Sequence, residues 1–197
     1  MKALLFSALL LLVILVFNCF AKKKWNALRK VLVNFGIIIG FSALGLNALL
    51  EDSFGASTPV HVRIKNLTNK NLKIYSIAFW RNNWNESRNS VTYDIKLKSN
   101  EMSDFWFEND GTTEFWIVAK NENNEIEYLK TITEQKGEFH FKITNLENLD
   151  PNKIQIAKEL TSEKDKSERL KKYAIWANIV LIGLLAISMV KTKNAEQ

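Results

Sequence analysis

Nine residues, Lys22-Lys23-Lys24-Trp25-Asn26-Ala27-Leu28-Arg29-Lys30, separate two apolar runs that are each long enough to cross a bilayer. An α-helix rises about 1.5 Å per residue, so a hydrocarbon core about 30 Å thick takes roughly 20 apolar residues. Ala3 to Ala21 supplies nineteen and Val31 to Leu50 supplies twenty. Lipid offers main-chain amides no hydrogen-bond partner, so such runs have to be helical. The short basic loop turns them into a membrane hairpin, residues 1–57, with helices over about 3–21 and 31–50 and the loop at 22–30. A signal peptide fits the first run poorly, because an apolar core of that kind is about 7–15 residues long and Lys22 to Lys24 follow here at once. Val16-Phe17-Asn18-Cys19 only faintly resembles a lipoprotein cleavage box, with Asn18 where a small residue is usual.

The second run has a marked face. Gly36 and Gly40 form a G-x-x-x-G step, and Ala43 and Asn47 continue it at helical spacing, so another backbone can approach closely. That face packs either against another helix of the same chain or against a second copy. Asn34 and Asn47 are costly in lipid and should face protein or the interface. A third apolar run, Tyr173 to Val190, ends at Lys191 and Lys193.

Between the second and third runs the period changes from helical to two. Val60, Val62 and Ile64 alternate with His61, Arg63 and Lys65, and Val91, Tyr93, Ile95 and Leu97 alternate with Thr92, Asp94 and Lys96, each a half-buried strand. Further strands are expected at Leu72 to Trp80, Met102 to Glu108, Glu114 to Lys120, Glu125 to Thr133 and Glu138 to Thr144. Turn signals separate them at Asn82-Asn83, Ser99-Asn100, Asn109-Asp110-Gly111, Asn121 to Asn124 and Lys136-Gly137. About seven strands without a helical period predict an all-β domain over 58–145, an antiparallel sandwich or a small barrel, with the sandwich favoured. The fold class is therefore a membrane protein of three transmembrane α-helices with an inserted all-β domain.

Asp150-Pro151 starts a helix, with the aspartate as cap and proline in the first turn. Asp165 with Arg169 and Glu168 with Lys172 are spaced i to i+4, which predicts a solvated helical stalk over 146–172 leading without a breaker into the third transmembrane helix and tail, 173–197.

Large aromatics crowd the β domain. Because side chains alternate along a strand, Phe105 and Phe107 point one way and Trp106 the other, and Phe115 and Trp116 also split. Tryptophan therefore faces outward. Either a second layer or the membrane surface covers it, or Trp80, Trp84, Trp106 and Trp116 form an aromatic surface for a partner.

The residue inventory argues against most chemistry. Cys19 is the only cysteine and His61 and His140 the only histidines, so there is no disulfide framework and no cysteine-based zinc site, and neither a metal nor a cofactor is expected. Asp104, Glu108, Asp110 and Glu114 cluster around a hairpin, but their spacing matches no calcium loop. No phosphate-binding glycine loop, nucleophile elbow or zinc-protease motif is present, so no catalytic residue and no enzyme activity is expected. Asn66-Leu67-Thr68 and Asn85-Glu86-Ser87 fit the N-glycan pattern, a frequent chance match. A net charge of +6 raises nucleic acid as a partner, but the basic residues gather beside the apolar runs, where they orient helices, and nucleic acid is disfavoured.

Orientation follows from those basic residues. Lys22, Lys23, Lys24, Arg29 and Lys30 hold the hairpin loop in the cytoplasm and send the β domain outside, whereas Lys164, Lys166, Arg169, Lys171 and Lys172 before the third run favour the opposite. The first helices usually dominate, so an exoplasmic β domain in a bacterial inner membrane is expected. The function that fits is a non-enzymatic multi-pass membrane protein whose β domain is an interaction module in an envelope or membrane complex, its partners being the bilayer and either another protein or itself. The alternative, with the β domain in the cytoplasm, resembles in layout small prokaryotic antiviral membrane effectors and CRISPR accessory proteins, in which a sensor-like domain is joined to an oligomerising, membrane-perturbing helix bundle.

Overall fold

The computed structural model describes residues 1–21, 25–51, 59–80, 89–108, 114–133, 138–144 and 150–194. Helix α1 is Lys2–Phe20, α2 is Asn26–Glu51 and α3 is Pro151–Asn194. Between α2 and α3 lie β1 (Pro59–Asn66), β2 (Leu72–Phe79), β3 (Asn89–Leu97), β4 (Met102–Glu108), β5 (Glu114–Asn121), β6 (Ile126–Ile132) and β7 (Glu138–Ile143). The chain divides into two compact units, Met1–Ser53 with Ser167–Gln197, and Phe54–Lys166.

All three helices are long and apolar enough to cross a membrane. In the helical unit, Leu11, Ile14, Val33, Ile182 and Leu185 form one buried cluster and Leu4, Ala43 and Ala174 another. Phe6, Leu9, Val13, Phe35, Ile38, Phe41, Trp176 and Ile187 are exposed around it, so the helices are apolar on their outward as well as their inward faces. Arg29 Nε donates to the buried Asn18 Oδ1 at 2.9 Å, so one residue of the basic loop is tied to the end of α1.

The β unit is a sandwich of two sheets. Sheet A has the order β4-β1-β7 and sheet B the order β3-β2-β5-β6. The alternation read from the sequence puts Val60, Val62, Ile64, Phe105 and Ile143 on the inner face of sheet A, against Leu72, Ile74, Leu97, Phe115, Ile117, Ala119 and Ile132 of sheet B. The expectation of an antiparallel sandwich needs one correction. β1 and β7 pair in parallel, His61 beside Glu138 through Asn66 beside Ile143, which the long connection between them permits and a hairpin would not.

Both sequence-adjacent Asn turns are built by positive φ, at Asn100 (60°) and Asn124 (64°), which asparagine tolerates better than most residues. Two buried asparagines hold the neighbouring loops. Asn66 Nδ2 donates to the carbonyls of Lys70 (2.7 Å) and Lys98 (2.9 Å) and its oxygen accepts from Thr68, so this N-glycan-like triplet is an internal turn. Asn121 Oδ1 accepts from the main-chain N–H groups of Asn123 and Glu125 in the same way.

A third layer corrects the solvated-stalk expectation. Helix α3 starts where predicted, with Asp150 Oδ1 accepting from Asn152 N at 2.9 Å. Its first turns, however, lie on the outer face of sheet B: Ala157 and Thr161 have no exposed surface, and Ile154, Ile156 and Leu160 pack on Tyr75, Ile77, Phe79, Trp116, Val118 and Leu129. Positions 154, 157 and 161 follow the three-and-four spacing of one helix face, but an alanine and a threonine on that stripe weaken its apolar signal.

Candidate functional site

With helix α3 over sheet B, the outer face of sheet A is the uncovered sandwich face among the described residues, and it carries polar and aromatic side chains. Alternation turns His61, Arg63 and Lys65 of β1 outward, together with Met102, Asp104 and Trp106 of β4 and Glu138, His140 and Lys142 of β7. Register sets them in rows. Trp106, His61 and Glu138 share one row, Asp104, Arg63 and His140 the next, and Met102, Lys65 and Lys142 the third.

In the first row the rings of His61 and Trp106 stack with centroids 4.4 Å apart and planes 28° from parallel. His61 Nδ1 lies 2.8 Å from Glu138 Oε1 and Nε2 lies 3.9 Å from Asp104 Oδ2, so a carboxylate faces each ring nitrogen. Arg63 Nε donates to Asp104 Oδ1 at 3.0 Å; that bond and the attraction of Asp104, with Glu138 adding, raise the pKa of the guanidinium above its ordinary value. His140 Nε2 is 3.6 Å from the same Glu138 oxygen, so both histidines converge on one carboxylate. Trp106 remains 57% exposed, a large area of indole on a face that is otherwise polar apart from the exposed Met102. In the third row Lys65 and Lys142 stand directly opposite each other on neighbouring strands, an arrangement that repels unless an anion lies between them.

A second polar cluster, at the boundary of helix and sheet B, has no counterpart in the sequence motifs. Asp165 accepts from Tyr75 Oη and from Lys120 Nζ, each at 2.7 Å, and Lys73 Nζ is 3.7 Å away. Burial would raise the pKa of Asp165, but Lys120, Tyr75 and Lys73 outweigh it and hold the carboxyl below its ordinary value. Burial, reinforced by Asp165, pushes the Tyr75 hydroxyl up. The sequence pairing of Asp165 with Arg169 gives way to these tertiary partners.

Close by, β3 bulges. Ile74 faces Ile95 and Tyr75 faces Tyr93, which leaves Asp94 as the extra residue. Ser76 donates its hydroxyl to Asp94 Oδ1 at 3.2 Å, while Oδ2 is sealed from solvent with no hydrogen-bond partner. Burial drives the Asp94 carboxyl up to about 8, against the opposing pull of the Ser76 bonds and Lys164. The second bulge, in β6, also falls on an acid: Ala119 faces Tyr128 and Lys120 faces Ile126, leaving Glu127, which takes Lys70 Nζ at 2.7 Å. The alternation in β5 that puts Trp116, Val118 and Lys120 on one face was the available signal that a lysine would be buried.

The aromatic surface expected from the sequence is divided. Trp106 is exposed on sheet A and Trp80 is half-buried at the end of β2. Trp116 is corrected: it has no exposed surface, its ring lies 4.7 Å from that of Phe79 and tilted 54° to it, it donates Nε1–H to Glu114 at 2.6 Å and it lies under Lys153, because helix α3 covers its side of sheet B. Trp84 lies outside the described residues, as do Lys22, Lys23 and Lys24. Of the acidic hairpin group, Asp104 serves Arg63, and Glu114 takes Lys153 Nζ at 3.2 Å as well as the Trp116 indole. Among the described residues no three His, Cys, Asp or Glu side chains are disposed to hold a metal ion.

The glycine face is filled from within the chain. A Cβ on Gly36 would come 2.9 Å from Ile14 Cδ1, and one on Gly40 would come 2.6 Å from Ile182 Cδ1 and 3.2 Å from Leu11 Cδ1. Ala43 is buried against Leu4 and Ala174, and Asn47 is half-buried one turn on.

No protein-family model and no curated protein matches the chain. Among solved structures, one titled "Trapped Toxin" aligns at 5% identity over 44% of this chain and 21% of its own, with a TM-score of 0.30, so the chain spans about a fifth of that protein. Another, the "NMR structure of the protein from Eubacterium rectale", aligns at 16% identity over 51% of this chain and 86% of its own, with a TM-score of 0.28. Neither likeness is close enough to bear on function.

Proposed function

We propose that this is a non-enzymatic multi-pass membrane protein whose β unit is an interaction module, docking a partner protein on the open face of sheet A. The observation that carries this is Trp106, 57% exposed on a face where His61, Arg63, Asp104, Glu138 and His140 are held together by polar contacts. A rigid, half-stripped indole beside a polar rim is the composition of an interface centre. The row of Lys65 and Lys142 favours a partner with an acidic edge. Self-association through Gly36 and Gly40, on which the effector reading leaned, finds that face already occupied by Ile14, Leu11 and Ile182.

The partner lies on the exoplasmic side of a bacterial inner membrane in this reading, from the five basic residues of the hairpin loop. In cells carrying Cys19→Ser, the added variant Ser99→Cys reacts with an impermeant maleimide and Asn26→Cys does not; the reverse pattern overturns the placement. A photo-crosslinking residue at Trp106 or Lys142 then yields one discrete adduct in native membranes, while the same residue at Lys130 on sheet B yields none. Equal behaviour of the three positions refutes the docking face.

A further inference from the structure

The three-helix unit contains two polar atoms that its packing leaves unexplained. Asn178 has no exposed surface, and its amide nitrogen donates twice, to Leu4 O on α1 at 2.9 Å and to Ala174 O one turn back at 2.8 Å. These two acceptors fix the amide's orientation, since a flipped amide would set its oxygen against two carbonyls. Oδ1 therefore points away from both, buried and without a donor. On α1, Ser7 is 1% exposed and its hydroxyl likewise has no partner.

Both atoms belong to one layer of the bundle. Leu4 and Ala174 pack together with Ala43, and Leu11 and Ile182 both approach Gly40. Ser7 lies between Leu4 and Leu11 on the buried face of α1, and Asn178 lies between Ala174 and Ile182 on α3. Helix α2 meets this layer with Gly40 and Ala43, whose side chains end at a hydrogen and a methyl.

We propose that this layer is a binding site for a single water molecule, which donates a hydrogen bond to Asn178 Oδ1 and exchanges a second with Ser7 Oγ, joining α1 to α3. The chemistry selects water over other occupants. The Asn178 donors are already spent on carbonyls, so an anion would find only the serine hydroxyl. Two neutral oxygens are too few to strip a cation of its hydration. A buried water normally makes two to four bonds to polar groups left unsatisfied by protein, and an unsatisfied group inside a membrane bundle is costly.

The full-length protein in lipid nanodiscs tests this in two ways. At a resolution that shows ordered solvent, a density peak within hydrogen-bond distance of both Ser7 Oγ and Asn178 Oδ1 is expected; a dry layer, or the Ser7 hydroxyl turned directly onto Asn178 Oδ1 or onto a carbonyl of α1, overturns the site. In detergent, Ser7→Ala and Asn178→Ala are combined in a double-mutant cycle on the unfolding constant, with an expected coupling of about three- to tenfold, and additive effects refute the bridge. The density measurement needs no variant, so it decides the case if Asn178→Ala does not fold.

Discussion

Lys120 and Asp165 meet at 2.7 Å across the boundary of sheet B and helix α3, with the lysine wholly withdrawn from solvent. The pair closes an apolar interface of Ala157, Trp116 and Val118 with a charge that the sheet cannot neutralise by itself. A buried lysine without its carboxylate is far more costly than one never buried. The interface therefore has an asymmetric dependence on its two partners.

Removing one partner is worse than removing both. Asp165→Asn in the full-length protein should lower stability by about 3 kcal/mol, because Lys120 is left uncompensated, whereas Lys120→Met combined with Asp165→Leu should recover most of the loss. Denaturant unfolding followed by tryptophan fluorescence reads the difference, since Trp116 lies under the same helix. A double variant no more stable than Asp165→Asn would contradict this account of the pair.

The pH dependence separates two neighbouring acids. Asp94 has its folded pKa raised to about 8, so between its ordinary value near 4 and pH 8 the folded chain holds a proton that the unfolded chain releases. Stability from this group falls as pH rises through that window and is level above it. Asp165 is held below its ordinary value, so its contribution is present above about pH 4 and lost in acid. Asp94→Asn should gain on the parent by about 4 kcal/mol between pH 5 and pH 9, because over that range folding the parent requires it either to reprotonate Asp94 or to keep a sealed oxygen charged. Parallel unfolding curves at both pH values would show that the carboxyl is not buried in this way.

Helix α3 decides where the β unit can be cut. A fragment ending at Asn145 would bare Tyr75, Ile77, Phe79, Trp116 and Val118, an apolar sheet face that promotes aggregation. A fragment of 54–166 should be soluble and monomeric with mixed β and helical circular dichroism, and one of 58–145 should aggregate. Size-exclusion chromatography of the two distinguishes them, and a monomeric short fragment would mean that the helix is dispensable.

The three glycines of α2 should rank by their surroundings. Gly36→Leu and Gly40→Leu drive a side chain into Ile14 and Ile182, whereas a Cβ on Gly45 would meet nothing within 4 Å. Overpacking of this kind costs about 1–3 kcal/mol or more, so the first two should lower the unfolding temperature in detergent and Gly45→Leu should not. Equal effects at all three would remove the packing role.

Strands and long apolar helices were legible because their signals are dense. Alternating runs such as Val60 to Lys65 and the apolar stretch Val31 to Leu50 each repeat one rule many times, and the observed elements fall within a few residues of the expected ones. The partners of those faces were harder to read. Trp106 and Trp116 have the same alternation in sequence, and only the docking of a helix whose contact stripe contains Ala157 and Thr161 buries one and leaves the other open. Asp94 and Glu127 were invisible for a different reason. A bulge is a property of two strands in register, and nothing within either strand announces it. The parallel pairing of β1 with β7 belongs to the same class.

That pairing sets a timetable for synthesis. β1 emerges first yet sits at the centre of its sheet, between β4 and β7. As the chain leaves the ribosome, β2 and β3 can pair at once with each other, but β1 must wait for β4 and then for the last strand before both of its edges are covered. Contacts between residues so far apart are slow to form because a long loop must close before they gain anything. Sheet A, which bears Trp106 and the two histidines, is therefore the last part of the sandwich to be completed, and the face that carries them exists only once the last of these strands has been made.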